Sequence, residues 1–246
     1  MTLRLFEVNL KARDDAALGR FWAQALGWTA SGAGGATTVK PSDVAWPDAA
    51  AVRVDIISVP DPETVDTRVH LELGSGSAAH HAELVARLRD LGATPADAGQ
   101  GNVPWTVLSD PEGNTFCVQE PRECHRDTGP IAAVVLDCAD PRATGRFWAE
   151  AMGWTAHEVT DEHALLRSAE NTGPYLELVR TPHLKGVRHR AHLDLAPHPF
   201  EAGLQAAEVA RLEGIGATRA DAGRGDFPWK VMTDPEGNEF CVLGPA

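Results

Sequence analysis

Trp105-Thr-Val-Leu-Ser-Asp110-Pro-Glu-Gly-Asn114-Thr-Phe-Cys117-Val118 occurs twice in this chain, the second time as Trp229-Lys-Val-Met-Thr-Asp234-Pro-Glu-Gly-Asn238-Glu-Phe-Cys241-Val242. Proline and glycine around an acid, set between two apolar runs, are turn chemistry. Each copy therefore reads as strand, tight turn and strand, with Asp110 and Asp234 capping the turn. Side chains alternate across a strand. If Phe116 and Val118 enter the core, Thr115 and Cys117 face the other way. A polar face on an otherwise buried strand implies a lined cavity.

The duplication sets the domain count. A chain of 246 residues has room for one large domain or two of common size, and the repeat selects two. The boundaries fall at 1–122 and 129–246, with a linker at 123–128 inside an aperiodic stretch that has a proline at each end. Lys and Arg number 22 against 35 Asp and Glu, a net charge of −13, which argues against nucleic acid or an anionic membrane as partner. The N-terminus shows no signal-peptide pattern, and no apolar run is of bilayer length. The cysteines (Cys117, Cys124, Cys138, Cys241) lack paired metal-finger spacing, so they read as free thiols in a reducing cytoplasm.

Periodicity predicts a strand over 3–10 and a helix over 14–26, whose apolar stripe is Leu18, Phe21, Trp22, Ala25 and Leu26 and whose stop is Gly27. The Gly-, Ala- and Pro-rich segment 31–50 holds one short strand and a loop. Strands follow at 52–59 and 69–73, then a helix at 79–91. The second half repeats the order, with strands at 132–137, 175–180 and 192–195 and helices at 141–152 and 200–215. All four helices end in an apolar residue, Gly, any residue and Thr: Leu26-Gly-Trp-Thr29, Leu91-Gly-Ala-Thr94, Met152-Gly-Trp-Thr155 and Ile215-Gly-Ala-Thr218. The chain is thus four copies of one strand–helix–strands unit, arranged as two pairs.

Leu136-Asp-Cys-Ala-Asp140-Pro, Arg146-Phe-Trp148, Met152-Gly-Trp154, Ala191-His-Leu-Asp-Leu195 and Asp234-Pro-Glu-Gly-Asn-Glu-Phe-Cys241 resemble the glyoxalase/bleomycin-resistance/dioxygenase group, the vicinal oxygen chelate superfamily. The nearest type is the tandem glyoxalase-like protein of actinobacteria. The resemblance implies an α+β fold of two tandem domains, each built of paired βαβββ units that curl a sheet into a cup. It also implies four metal-ligand places per cup. Read half by half, these fall on Glu7, Asp55, His70 and Cys117, and on Ala133, Glu177, His192 and Cys241. With Cys where the family's metalloenzymes carry Glu, and Ala133 opposite Glu7, the residues favour no cofactor. A divalent metal, if held, would be zinc on Glu7, Asp55 and His70. The expectation is less than stoichiometric metal.

Strand parity completes each cup. Asn9, Arg53 and Glu72 join the first; Asp137, Tyr175, Arg190, Asp194 and Glu239 join the second. Asp55, His70, Glu177, His192 and Tyr175 are the catalytic candidates, carboxylates as bases and histidines or the tyrosine as proton donors. The ligand-binding candidates are Glu7, Asn9, Arg53, Trp105, Cys117, Asp137, Arg190, Trp229 and Cys241. A plainer reading makes Arg68-Val-His70-Leu-Glu72 and Arg190-Ala-His192-Leu-Asp194 Arg–acid ladders, and buries the thiols as small hydrophobes. Trp22, Trp28, Trp148 and Trp154 belong to the core. Trp105 and Trp229, each after a proline, either close the sheet or stack on a planar ligand. Two functions remain: a lyase or isomerase moving a proton next to a carbonyl on a small organic molecule, or a protein that sequesters a small antibiotic. Either acts as a monomer or homodimer.

Overall fold

The structure is a computed structural model that describes residues 2–62, 68–96, 103–181, 190–220 and 227–245. The first unit contains β1 (Thr2–Ala12), α1 (Asp15–Leu26), β2 (Thr29–Ala33), β3 (Ala36–Lys40) and β4 (Arg53–Ser58). The second contains β5 (Val69–Leu73), α2 (Ala78–Asp90), β6 (Thr94–Pro95), β7 (Trp105–Ser109) and β8 (Thr115–Gln119). The third contains β9 (Ile131–Cys138), α3 (Pro141–Met152), β10 (Thr155–Val159), β11 (His163–Arg167) and β12 (Tyr175–Arg180). The fourth contains β13 (Ala191–His198), α4 (Leu204–Gly214), β14 (Thr218–Arg219), β15 (Trp229–Thr233) and β16 (Glu239–Leu243).

These strands form two eight-stranded sheets, ordered β14-β15-β16-β13-β1-β4-β3-β2 and β10-β11-β12-β9-β5-β8-β7-β6. The α+β architecture of two cup-shaped sheets is as the sequence implies. Their composition is not. The expectation was one sheet per half, whereas unit 1 pairs with unit 4 and unit 2 with unit 3. β1 runs antiparallel to β13, and β5 runs antiparallel to β9. The reason lies in the repeat itself. Units 2 and 4 present nearly the same edge, so local sequence leaves unit 1 free to close on either, as in a domain swap.

Cross-half contacts also join the two sheets. Arg68 Nη1 donates to Asn238 Oδ1 at 2.9 Å, and Arg190 Nη2 donates to the Glu112 carbonyl at 2.6 Å. The duplicated turn is their anchor. Asp110 Oδ1 accepts from the Glu112 and Asn114 amides, and its Oδ2 accepts from Trp22 Nε1 at 3.2 Å. Asp234 does the same with Glu236, Asn238 and Trp148. Glu112 then accepts from the Arg13 and Asp14 amides at the start of α1, while Glu236 takes the Ala139 and Asp140 amides before α3. The turn motif is thus also a helix-capping device acting across sheets.

Trp22 and Trp148 are each 1% exposed and pack edge-on against Phe116 and Phe240, whose ring centroids lie 5.1 Å away. Trp154 is buried as expected, whereas Trp28 is half-buried and packs against the core. α1 follows its predicted stripe, and α1 and α3 end in left-handed glycines, Gly27 and Gly153. The segment 31–50 holds a hairpin, β2–β3, where one strand was expected; its turn is Gly34-Gly35, both at positive φ. Inside 121–130, Glu123–His125 form one turn of 3-10 helix.

Candidate functional site

Each sheet's polar face is read from register. In the sheet of units 1 and 4 (cup A), Glu7 lies opposite Asp194 and Arg53, Asn9 opposite His192 and Asp55, and Asp194 beside Cys241. In the sheet of units 2 and 3 (cup B), His70 lies opposite Val135, Glu72 opposite Ala133 and Cys117, and Glu177 beside Val135 and Leu165. The register groups the residues that parity assigned to one cup across the two halves. His70 and Cys117 share a cup with Glu177 and Tyr175, not with Glu7 and Asp55. The ligand trio Glu7, Asp55 and His70 is therefore divided between two sheets. Arg190 leaves the cup altogether: its guanidinium holds the carbonyls of Glu112 and Lys11.

At the floor of cup A, Glu7 is 8% and Asp194 4% exposed. Arg53 Nε donates to Glu7 Oε2 at 2.8 Å, and its guanidinium carbon lies 3.7 Å from the centroid of the Phe6 ring. Burial, reinforced by Asp194 and Asp55 and opposed by Arg53, pushes Glu7 up to about 8. Asp55, which accepts from Thr38 Oγ1, is also raised by burial. His192 Nε2 stands 3.1 Å from Asp194 Oδ1. Thr38 went unrecognised in the sequence because the one short strand expected within 31–50 was not placed; the Gly34-Gly35 pair was the available signal.

Cup B answers with different neighbours. Ala133 replaces Glu7, Val135 replaces Asn9 and Tyr175 replaces Arg53. Tyr175 is 4% exposed, with the Arg167 guanidinium carbon 4.7 Å from its ring centroid. Glu72 meets Glu177 across the seam, and burial together with Glu177 pushes Glu72 up to about 8. Glu177 is raised by burial as well, with Arg122 opposing the rise. Gln119 Nε2 donates to Glu72 Oε1. Burial holds His70 down at about 4, so its imidazole is neutral. Trp105 lies half-buried on the same face, opposite Gln119, and Asp137 lies opposite Val179 at the end of β9.

The thiols are buried and protonated. Burial, then Glu72 and Glu177, raise Cys117 to about 12, and Cys241 is pushed higher still by burial and Asp194. Neither is an activated nucleophile. All four cysteines are free.

The family's four metal places map onto Glu7, Asp55, His192 and Cys241 in cup A, and onto Ala133, Glu177, His70 and Cys117 in cup B. That four-point set does not fit a metal here. Arg53 already neutralises Glu7, Thr38 engages Asp55, and Ala133 offers no ligand. Among the described residues, the donor atoms that do converge are His70, Glu72 and Cys117, and His192, Asp194 and Cys241, within 4.8 Å in each group.

Two open eight-stranded sheets, each lined at its centre by buried acids and an imidazole, define a small-molecule cup protein of the vicinal oxygen chelate class. The family model described as glyoxalase-like domain matches residues 7–119 and again 133–243, so the chain belongs to that family, in two copies. The fold is similar to glyoxalase I from Zea mays, with TM-score 0.64 and 16% identity over 99% of this chain and 92% of that one. It is also similar to a putative dioxygenase from Bacillus subtilis, with TM-score 0.64 and 12% identity over 99% and 85%. Among curated proteins, none matches the sequence. Identities this low speak to fold alone.

Proposed function

We propose that the chain is a glyoxalase-like lyase or isomerase that moves a proton next to a carbonyl of a small organic molecule. The observation that carries this reading is the meeting, at the floor of each cup, of two carboxyl groups from different units beside an imidazole, with Glu7, Asp194 and Glu72 buried and Glu177 half-buried. Such a pair holds a proton between its members and can give it up to, or take it from, a substrate carbon. In cup B, Glu177 is the base, and neutral His70 and Tyr175 are hydrogen-bond donors to the carbonyl oxygen. In cup A, Asp55 is the base, His192 the donor and Arg53 the charge that steadies a developing oxyanion. Substrate is a small molecule, and the setting is cytoplasmic. Among the described residues no helix is long and apolar enough to cross a membrane. A monomer suffices, since both open sheets are assembled within one chain.

The test is deuterium exchange. α-Hydroxycarbonyl compounds and their thiol adducts are incubated with protein in heavy water and followed by proton NMR. Exchange or isomerisation by the wild type, reduced 100-fold or more in Glu177→Gln or Asp55→Asn, supports the reading. No exchange with any of them sinks it.

One observation favours sequestration instead. Phe227 and Trp229 stack with ring centroids 4.7 Å apart, each 36% exposed, and Trp229 lies on the polar face of cup A in register with Leu243. An open aromatic pair beside buried acids suits a planar cation. Under that reading Trp229→Ala weakens binding of such a dye 10-fold or more, and no turnover is found.

A further inference from the structure

We propose that a cavity between α1, α2 and the segment joining the halves binds a small organic oxyanion, an anionic head on an apolar stem. It lies off both polar faces and stands whether or not the proton-transfer reading does.

The cavity measures about 600 Å³, the size of ordinary small-molecule sites. His70, Glu72, Cys117, Tyr175 and Glu177 of cup B do not line it. Its walls carry His80, Arg87, Arg122, His125 and Arg126 against a single acid, Glu123. That acid is already engaged, 2.6 Å from the Arg126 guanidinium. In a chain of net charge −13, this local excess of cations runs against the overall balance. Leu26, Leu73 and Leu84 supply an apolar side. Gly76 and His80, either side of the α2 cap Ser77, bring the positive end of a 13-residue helix to the wall.

The repeat shows what this corner lacks. His81 Nε2 meets the Val118 carbonyl as Gln205 Nε2 meets that of Val242, so α2 and α4 align. Arg87 and Arg211 then hold equal places. Arg87 donates to the Gln24 and Ala25 carbonyls in the last turn of α1, and Arg211 to those of Glu150 and Ala151 in α3. Arg211 Nε also donates to Glu208 Oε2 at 2.9 Å, and Glu208 is 3% exposed. Three residues before Arg87 stands Leu84 instead. Among the described residues, only the two carbonyls accept from Arg87. One copy of the corner carries its own carboxylate; the other has a cavity.

His125 is an independent observation. It is 6% exposed, and its Nδ1 is buried without a hydrogen-bond partner. Buried polar atoms are seldom left unpaired. Burial, then Arg122 and Arg167, push its imidazole down to about 4, the mark of positive charge with no anion to answer it. The wall that carries it is fixed in place. Glu123–His125 form a turn of 3-10 helix, Thr128 Oγ1 donates to the His125 carbonyl, and Arg167 Nη2 donates to that of Asp127, both at 2.9 Å. Guanidinium groups pair with carboxylate and phosphate alike, so the head is an oxyanion of either kind.

Phenylacetate, phenyl phosphate and phenethylamine share a ring and differ in charge. Each is titrated into the whole protein by calorimetry. At least one of the two anions should bind at one equivalent per chain, and the amine should not bind. The tighter anion identifies the head as carboxylate or phosphate. Leu84→Glu rebuilds the pair seen at Glu208 and Arg211, and should keep the melting temperature while weakening the anion about 10-fold or more. Arg122→Gln should weaken it about 10-fold, and, being at an exposed position, carries the test if Leu84→Glu fails to fold. In histidine-labelled wild type the anion should shift the His125 ring signals, assigned with His125→Asn. Binding of neither anion, equal binding of the amine, unmoved His125 signals, or full affinity in both variants overturns the proposal. So does loss of the anion in Arg53→Met alone, which would place it in cup A.

Discussion

Cup A and cup B share a backbone plan and a His–acid–Cys trio but differ in how their central acids are balanced. In cup A the carboxyl pair Glu7–Asp194 has a resident cation, Arg53, bound at 2.8 Å and 27% exposed at its side chain. In cup B the pair Glu72–Glu177 is opposed chiefly by the exposed Arg122, with His163 also acting on Glu177, and the positions of Glu7 and Arg53 are filled by Ala133 and Tyr175. The acid and its arginine are thus present together in one cup and absent together from the other. A buried carboxylate is tolerated where a fixed charge answers it, and the pair behaves as one unit in which neither member is useful alone.

Reciprocal exchange of the acid tests this most severely. Ala133 is fully buried, so Ala133→Glu puts a third carboxyl beside Glu72 and Glu177 with no arginine to meet it. The expected cost is about 3 kcal/mol or more, read by urea denaturation at neutral pH. Combining it with Tyr175→Arg should recover a large part of that. If Ala133→Glu alone is neutral, charge balance does not explain the difference between the cups.

The next effect is smaller. Arg53→Met leaves Glu7 beside Asp194 without its donor and should cost about 2 kcal/mol, with loss of whatever cup A binds or turns over. Tyr175→Phe, its counterpart, should cost less than about 1 kcal/mol and alter only cup B. Equal effects would mean that the two positions are interchangeable packing.

How much of this could be read from the chain follows the range of each interaction. Stripes, caps and stops are local, so α1 and α3 were legible almost to the residue, and Asp110 and Asp234 were legible as turn caps. Parity is local too, which is why Glu7, Asn9, Asp55, His192 and Cys241 fall on a polar face as expected. α4 begins at Leu204 and not near 200, because the chain passes through Gly203 at φ +88 before it turns. β10 and β11 were not foreseen; their short runs lie either side of a turn with no strong signal. The pairing of units was illegible for a different reason. It rests on strands far apart in sequence, β1 with β13 and β5 with β9, and near-identical unit edges cannot specify a partner by themselves.

The smallest difference between the cups should appear in titration. In chelator-treated protein, Glu7 and Glu72 both titrate near 8 in the folded state against an ordinary value of 4.5. Between those values the folded state binds more protons than the unfolded one. Folding stability therefore falls as pH rises from about 4.5 to about 8, with a slope of about one to two protons, and the loss is complete above 8. Glu7→Gln and Glu72→Gln should each flatten part of that slope. The cups then part company in salt. Arg122 is exposed, so added salt screens it and Glu72 should titrate higher; Arg53 is held directly on Glu7, so Glu7 should move less. Carbon-13 NMR of labelled glutamate carboxyls, with the two variants as assignments, reads both shifts. A larger salt response at Glu7 than at Glu72 would reverse the roles of the two arginines, and with them the reason why one cup keeps its acid and the other has alanine.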